Sequence, residues 1–309
     1  MTTWKKHCSG AENSGTTALC QICPHHCRLT DGQYGRCGAR KNENGKIVCD
    51  NYGKVTALAL DPVEKKPLKL FCQGSMILSV GSYGCNLSCP FCQNYEISMM
   101  RPGNAQPVDT YTAGHEAASI PESISWRMMR PEEIADLAED CRDRENIGVA
   151  FTYNEPLVGY EFVRDTARLV HERGMKNVLV TNGTAELSVL EEILPYIDAM
   201  NIDLKGFTEE YYRKLGGNLE TVKNFIKRAA DACHVELTTL IVPGENDSVE
   251  EMEQEAEWIA SVSPEIVLHV TRFFPRYRMT DRKATDVREV YRLRDAAGKY
   301  LKYVYTGNC

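Results

Sequence analysis

Three cysteines, Cys85, Cys89 and Cys92, stand in a C-x3-C-x2-C spacing behind Gly84, with Phe91 just before the last. Thiolates are soft ligands that hold zinc, copper(I) or iron–sulfur clusters. Three of them within eight residues, with no fourth nearby, leave one iron of a four-iron cluster without a protein ligand. An open coordination position is what allows a metal centre to bind a substrate and act on it. A zinc knuckle that borrows its fourth ligand is the competing reading, but zinc ligands usually come as C-x2–4-C pairs, twice over. The triplet also follows a strand-like run, Met76-Ile77-Leu78-Ser79-Val80. The spacing predicts a [4Fe–4S] cluster with a free corner.

A second set lies upstream: Cys20, Cys23, Cys27 and Cys37, spaced C-x2-C-x3-C-x9-C. Four thiolates close a tetrahedron unaided, so the set reads as structural zinc or an auxiliary iron–sulfur cluster, and spacing alone does not separate the two. Such a site would hold a segment too short to build its own core. Thirteen cysteines in 309 residues, odd in number and crowded toward the front, suit metal ligation better than a disulfide framework. That usage points to a reducing cytoplasm. Met1 to Gly15 is polar and lacks the apolar region of a secretory signal. No apolar run reaches the roughly 18–20 residues of a membrane span. A net charge of −7 offers no electrostatic footprint for nucleic acid.

The elements that must position these residues follow from the patterning. Strands are expected at Met76–Val80, Ile147–Thr152, Lys176–Thr181, Met200–Leu204, Val235–Val242 and Ile266–Thr271. Helices are expected to begin near Pro131, Pro156, Glu186, Leu219, Ser248 and Asp286. Alternating strands and helices mean a parallel sheet covered by helices, either open and doubly wound or a barrel. No Gly-x-Gly-x-x-Gly turn favours a dinucleotide fold, so a six-stranded partial TIM-like barrel, (β/α)6, is the expectation. Residues 1–75 read as a cysteine-rich segment with a lead-in loop, and 76–309 as the barrel. Asp61-Pro62-Val63-Glu64-Lys65-Lys66-Pro67-Leu68 brackets charges between prolines and reads as a shaped loop, either a solvated linker or a rim of the active site.

Either layout puts the site at the C-terminal strand ends. There the second strand runs into Tyr153-Asn154-Glu155-Pro156, leaving Glu155 to face the mouth or to cap the next helix. Thr181-Asn182-Gly183 closes the third strand with short polar residues. Asn201, Asp203 and Lys205 share one face of the fourth; charges buried there are costly unless they serve a ligand. His269 lies on the sixth, with Arg272 just beyond, and Arg276 and Arg278 follow as anion holders or solvated charges.

Together these residues resemble the radical S-adenosylmethionine (SAM) enzymes related to pyruvate formate-lyase activating enzyme. A closer resemblance, over nearly the whole chain, is to the AmmeMemoRadiSam-system radical SAM enzyme. It rests on Asp61 to Leu68, Gly84-Cys85-Asn86-Leu87, Cys92-Gln93-Asn94, Phe151 to Pro156, Arg272-Phe273-Phe274-Pro275 and the block Cys20 to Arg40. The resemblance implies a cluster on Cys85, Cys89 and Cys92 whose unique iron is chelated by SAM. It implies that Tyr153, Asn154, Glu155, Thr181, Asn182 and Asp203 bind SAM. Lys205 and His269, with Asp203, would line the pocket around SAM, and Asn94 would face the substrate. With Arg272, an anion holder or a solvated charge at the barrel exit, Asn94, Lys205 and His269 are the candidate catalytic residues. It also implies a low-potential electron donor, and Memo-like and AMMECR-like proteins as partners.

Three functions compete. The first is a radical SAM enzyme that abstracts hydrogen from a small molecule or a modified partner. The second is an activase that installs a glycyl radical on a partner enzyme. The third is a non-catalytic iron–sulfur or zinc module.

Overall fold

A computed structural model describes residues 16–100, 105–107 and 124–309. Met1 to Gly15 lies outside the described residues. One eight-stranded sheet organises the chain. Its strands are β1 (Ala57–Pro62), β2 (Met76–Gly81), β3 (Asn146–Phe151), β4 (Lys176–Thr181), β5 (Ala199–Asp203), β6 (His234–Ile241), β7 (Val267–Arg272) and β8 (Val304–Gly307). Spatial order equals chain order, 8-7-6-5-4-3-2-1. Strands β2 to β8 run parallel, and β1 pairs antiparallel with β2. A doubly wound sheet must reverse its strand order at a switch point, and this one never does. Every crossover adds a strand on the same side, which curls a twisted sheet toward a barrel. Strands β1 and β8 do not pair, so the barrel is partial.

The six expected strands are all present, within one residue at either end. Two strands were not foreseen. The run Ala57–Pro62 joins the barrel sheet, and Val304–Gly307 extends it beyond the sixth strand. The expected loop Asp61–Leu68 is a strand end followed by a 3-10 turn, Val63–Lys65. Pro62 is tolerated because it ends an edge strand, where its missing N–H costs no ladder bond. This segment does not rim the mouth. It plugs the opposite end, with Val63 and Leu68 packed against Ile77, Ala150, Val178 and Ala199 inside the barrel. Asn201 Nδ2 donates to the Pro67 carbonyl at 2.9 Å and fixes the plug to β5.

Outside the sheet, helices bury one apolar face each. Leu219–Ala230 starts from Asn218, whose side chain accepts from Thr221 N at 2.8 Å, and buries Leu219, Val222, Phe225, Ile226 and Ala229. Pro131–Asp140 opens with proline at its first position and Glu133 accepting from Arg130 N at 2.7 Å. The helix expected near Pro156 begins with a 3-10 turn, Pro156–Gly159, before Tyr160–Glu172. None of the helices among the described residues is long and apolar enough to cross a membrane.

One buried carboxyl sets a pH dependence. Glu255, on the helix Val249–Val262, is fully buried and accepts a hydrogen bond from Thr239 Oγ1 of β6. Burial pushes its pKa from 4.5 to about 8. The folded state therefore holds a proton that the unfolded chain releases first. Stability is fully present below about pH 4.5, falls as pH rises toward 8, and is flat above, with a limiting slope of about 1.4 kcal/mol per pH unit. Glu255→Gln is expected to flatten this slope in urea unfolding at pH 5, 7 and 9. Parallel pH profiles for the two proteins would reject the assignment.

Candidate active site

The cysteine loop leaves β2 at Ser82 and is tied down from several directions. Gly84 has φ of +91°, and a Cβ there would lie 2.6 Å from the Cys37 carbonyl oxygen. Only glycine permits that approach. It lets Cys85 N donate to the same carbonyl at 3.2 Å. Ser88 N donates to Leu215 O at 2.8 Å, and Arg278 N to Pro90 O at 2.9 Å. Asn154 completes the clamp: its Nδ2 donates to the Tyr83 and Gly84 carbonyls at 3.2 and 3.1 Å, and its Oδ1 accepts from Ser82 N at 3.0 Å. Asn154 thus holds the loop through the side chain that the resemblance would turn toward SAM.

Cys85, Cys89 and Cys92 line one cavity of about 910 Å³. Burial raises all three thiols, Cys85 well above its ordinary range and Cys89 to about 12. Such thiols stay neutral until a metal compensates the charge. Asn182 Nδ2 and Leu87 N both donate to Cys85 Sγ, at 3.6 and 3.4 Å, a pattern that stabilises sulfur as a ligand.

The same cavity is lined by Asn94, Tyr153, Asn154, Glu155, Thr181, Asn182, Asp203, Lys205 and His269. Period-two alternation along the strands brings them inward. Glu155 is buried and takes three donors: Leu157 N at 3.0 Å, Thr181 Oγ1 at 2.7 Å and Asn182 N at 2.7 Å. It is both a helix cap and the cavity's carboxylate. Burial raises its pKa to about 7, so it gains from a cation placed beside it. Lys205 Nζ sits 2.7 Å from Asp203 Oδ2, a pair facing Cys89 and Cys92. Tyr153 OH donates to Asp61 Oδ2 at 2.9 Å, linking the mouth to the plug.

His269 is held by a residue that the sequence reading passed over. Glu236, fully buried on β6, accepts from His269 Nε2 at 2.6 Å and His234 Nε2 at 2.9 Å. It also accepts from Lys69 N and Leu70 N, each at 2.7 Å. These donors hold its carboxyl down to about 2 despite burial. The signal was present, since Glu236 and Thr238 are polar positions alternating with Val235 and Leu237. Glu236→Ala strands all four donors and is expected to cost about 3–5 kcal/mol in urea unfolding. A loss under about 1 kcal/mol would show that the hub is solvated instead.

One expectation is not met by the geometry. Arg272 is absent from the cavity wall: with His269 and Thr271 facing in, alternation turns it out. Its Nε donates to Thr285 O at 2.7 Å and its guanidinium lies 4.8 Å from the Phe274 ring centre. Cys20, Cys23, Cys27 and Cys37 lie in the front segment, outside this cavity. Among the described residues no three Cys, His, Asp or Glu side chains gather tightly enough for a single metal ion.

The radical SAM superfamily model matches residues 79–259, which span the cysteine loop and strands β3 to β6. The chain belongs to the radical SAM superfamily. An uncharacterized protein of Methanocaldococcus jannaschii, MJ0808, is 39% identical over 94% of this chain and 80% of its own length. The pyruvate formate-lyase-activating enzyme of Clostridium pasteurianum is 24% identical, over 69% of this chain and 80% of that protein. Among solved structures, QueE from Escherichia coli has a TM-score of 0.53 at 12% identity, covering 82% of this chain and 92% of QueE. That likeness is one of fold.

Radical SAM enzymes use a [4Fe–4S] cluster and SAM. The residues present fit both groups. Three thiols line one cavity, two N–H groups already point at Cys85 sulfur, and a buried carboxylate raised by desolvation gains from a cation. Bound there, the cluster and SAM supply an electron and a sulfonium whose carbon–sulfur bond breaks to give a radical. The chain's own residues fix the loop and line the cavity in which these groups would sit.

Proposed function

We propose that this radical SAM enzyme binds its cluster through Cys85, Cys89 and Cys92 and acts on a small organic substrate inside the barrel. SAM is held by Glu155, Thr181, Asn182 and Asp203, with Tyr153 and Asn154 shaping the mouth. Asn94, Lys205 and His269 face the substrate. What carries this reading is one continuous cavity, running from the three cysteines past Glu155 and Asp203 to His269 and Tyr305. Its size is that of small-molecule sites. The four front cysteines bind an auxiliary cluster or zinc, and the enzyme works in the cytoplasm with a low-potential electron donor. By resemblance it serves in the AmmeMemoRadiSam system, beside Memo-like and AMMECR-like proteins.

Anaerobic protein reconstituted with iron and sulfide, reduced and mixed with SAM, is expected to release 5′-deoxyadenosine. A clustered, reduced protein that yields no SAM cleavage product would defeat the proposal. An activase reading is favoured by one observation: all four residues of the edge strand β8, with Asn308 after it, line the cavity, and among the described residues no strand pairs with its outer side, where a peptide loop could enter. A glycyl-radical EPR signal on a partner protein would select it over the small-molecule reading.

A further inference from the structure

A second cavity, about 540 Å³, shares Cys85, Leu87, Ser98 and Met99 with the first, so the cysteine loop is the wall between them. Its other lining includes Arg36, Cys37, Tyr277 and Arg278, and no carboxylate among the described residues. That is unexpected in a chain of net charge −7. Arg36, Arg276 and Arg278 are exposed, and among the described residues none of them is ion-paired. Arg276 and Arg278 sit on a tight turn closed by an Arg276–Met279 bridge, with Tyr277 in the left-handed region at φ +56°. The turn leans on the cysteine loop. Arg278 N donates to Pro90 O at 2.9 Å, and the Tyr277 ring stacks on Tyr95 at 4.7 Å and 15°. Backbone strain of this kind persists only where surrounding structure holds it.

We propose that this arginine-rimmed face docks the reduced electron donor, an acidic one-electron carrier protein, against the outer side of the cysteine loop. The inference rests on the proposed cluster at Cys85, Cys89 and Cys92. Exposed arginines whose charge is not balanced by an ion pair attract an acidic surface and raise the rate of encounter. Cys85 forms the shared wall, so a carrier seated here touches a cluster ligand while the substrate cavity on the far side stays free. One electron leaves the carrier and enters the metal centre; no atom or proton is transferred. Arg276 and Arg278, read from the sequence as anion holders or solvated charges, thus serve a partner rather than a substrate, because neither lines the cavity of Glu155, Asp203 and His269.

The test compares two reductants by stopped-flow absorbance of the reconstituted full chain at low ionic strength. One is reduced flavodoxin, an acidic carrier, and the other is the cationic viologen radical. Arg276→Glu/Arg278→Glu is expected to slow reduction by flavodoxin about tenfold or more and to remove its salt dependence. The viologen rate should change less than about twofold, and Arg278→Lys should behave as wild type. An unchanged flavodoxin rate overturns the proposal, and so does an equal loss with both reductants. Wild-type protein that viologen cannot reduce would defeat the cluster assignment, and this inference with it.

Discussion

Cys89→Ala protein, reconstituted anaerobically, is expected to lose 5′-deoxyadenosine formation by about 10³-fold or more, a barrier increase of about 4 kcal/mol. The residue is buried among Leu87, Phe91, Tyr211, Leu215, Val242 and Phe273, so alanine leaves a small void in a packed shell. The expected stability cost is only about 1 kcal/mol. Lost activity with a retained fold would therefore report ligation. Iron content and the cluster's absorbance should fall in parallel. Cys72→Ala is the control, since Cys72 is exposed and outside the cavity. Wild-type SAM cleavage by Cys89→Ala would sink the assignment of the triplet.

The second large effect is expected at Glu155, which plays two parts. Alanine there strands three donors, Leu157 N, Thr181 Oγ1 and Asn182 N, and should cost about 3–5 kcal/mol of stability. Glutamine keeps the volume and one acceptor, so it separates folding from binding. Burial holds the carboxyl partly protonated near neutrality, with a pKa of about 7. A cationic ammonium binds the ionised form, so SAM affinity should fall up to about tenfold per pH unit below 7 and level off above it. Binding below pH 7 should also release a proton, read as buffer-dependent heat in calorimetry. Glu155→Gln should bind weakly at every pH with no proton release. A wild-type affinity that is flat from pH 5.5 to 8 would show that the carboxylate does not meet the cation.

Much of this was legible because it is local. The triplet's spacing is a property of eight consecutive residues, and strand ends are marked by Thr152-Tyr153-Asn154-Glu155-Pro156 and Thr181-Asn182-Gly183, where a proline or an Asn-Gly turn ends the pattern. Apolar strand interiors fixed the parallel sheet, and the side of each strand followed from period two. The same rule, applied to Arg272, would have turned it outward from His269 and Thr271. Glu236 was passed over for a different reason. Its partners, Lys69, Leu70, His234 and His269, are scattered over some two hundred positions and meet only when the plug enters the barrel.

By itself, the sequence determined the chemistry on offer: three thiols with a free corner, a carboxylate at a strand end, and a run of βα units to carry them. Only the tertiary structure decided that Asp61 to Leu68 is a floor rather than a rim. Only it showed that Asn154 clamps the cysteine loop, and that Arg278 leans on that loop's outer face. The physical reason is that spacing along a chain fixes which groups can share a ligand or a face of one element. Which distant backbone carbonyl a side chain meets depends on how the elements close over one another, and no local pattern encodes that.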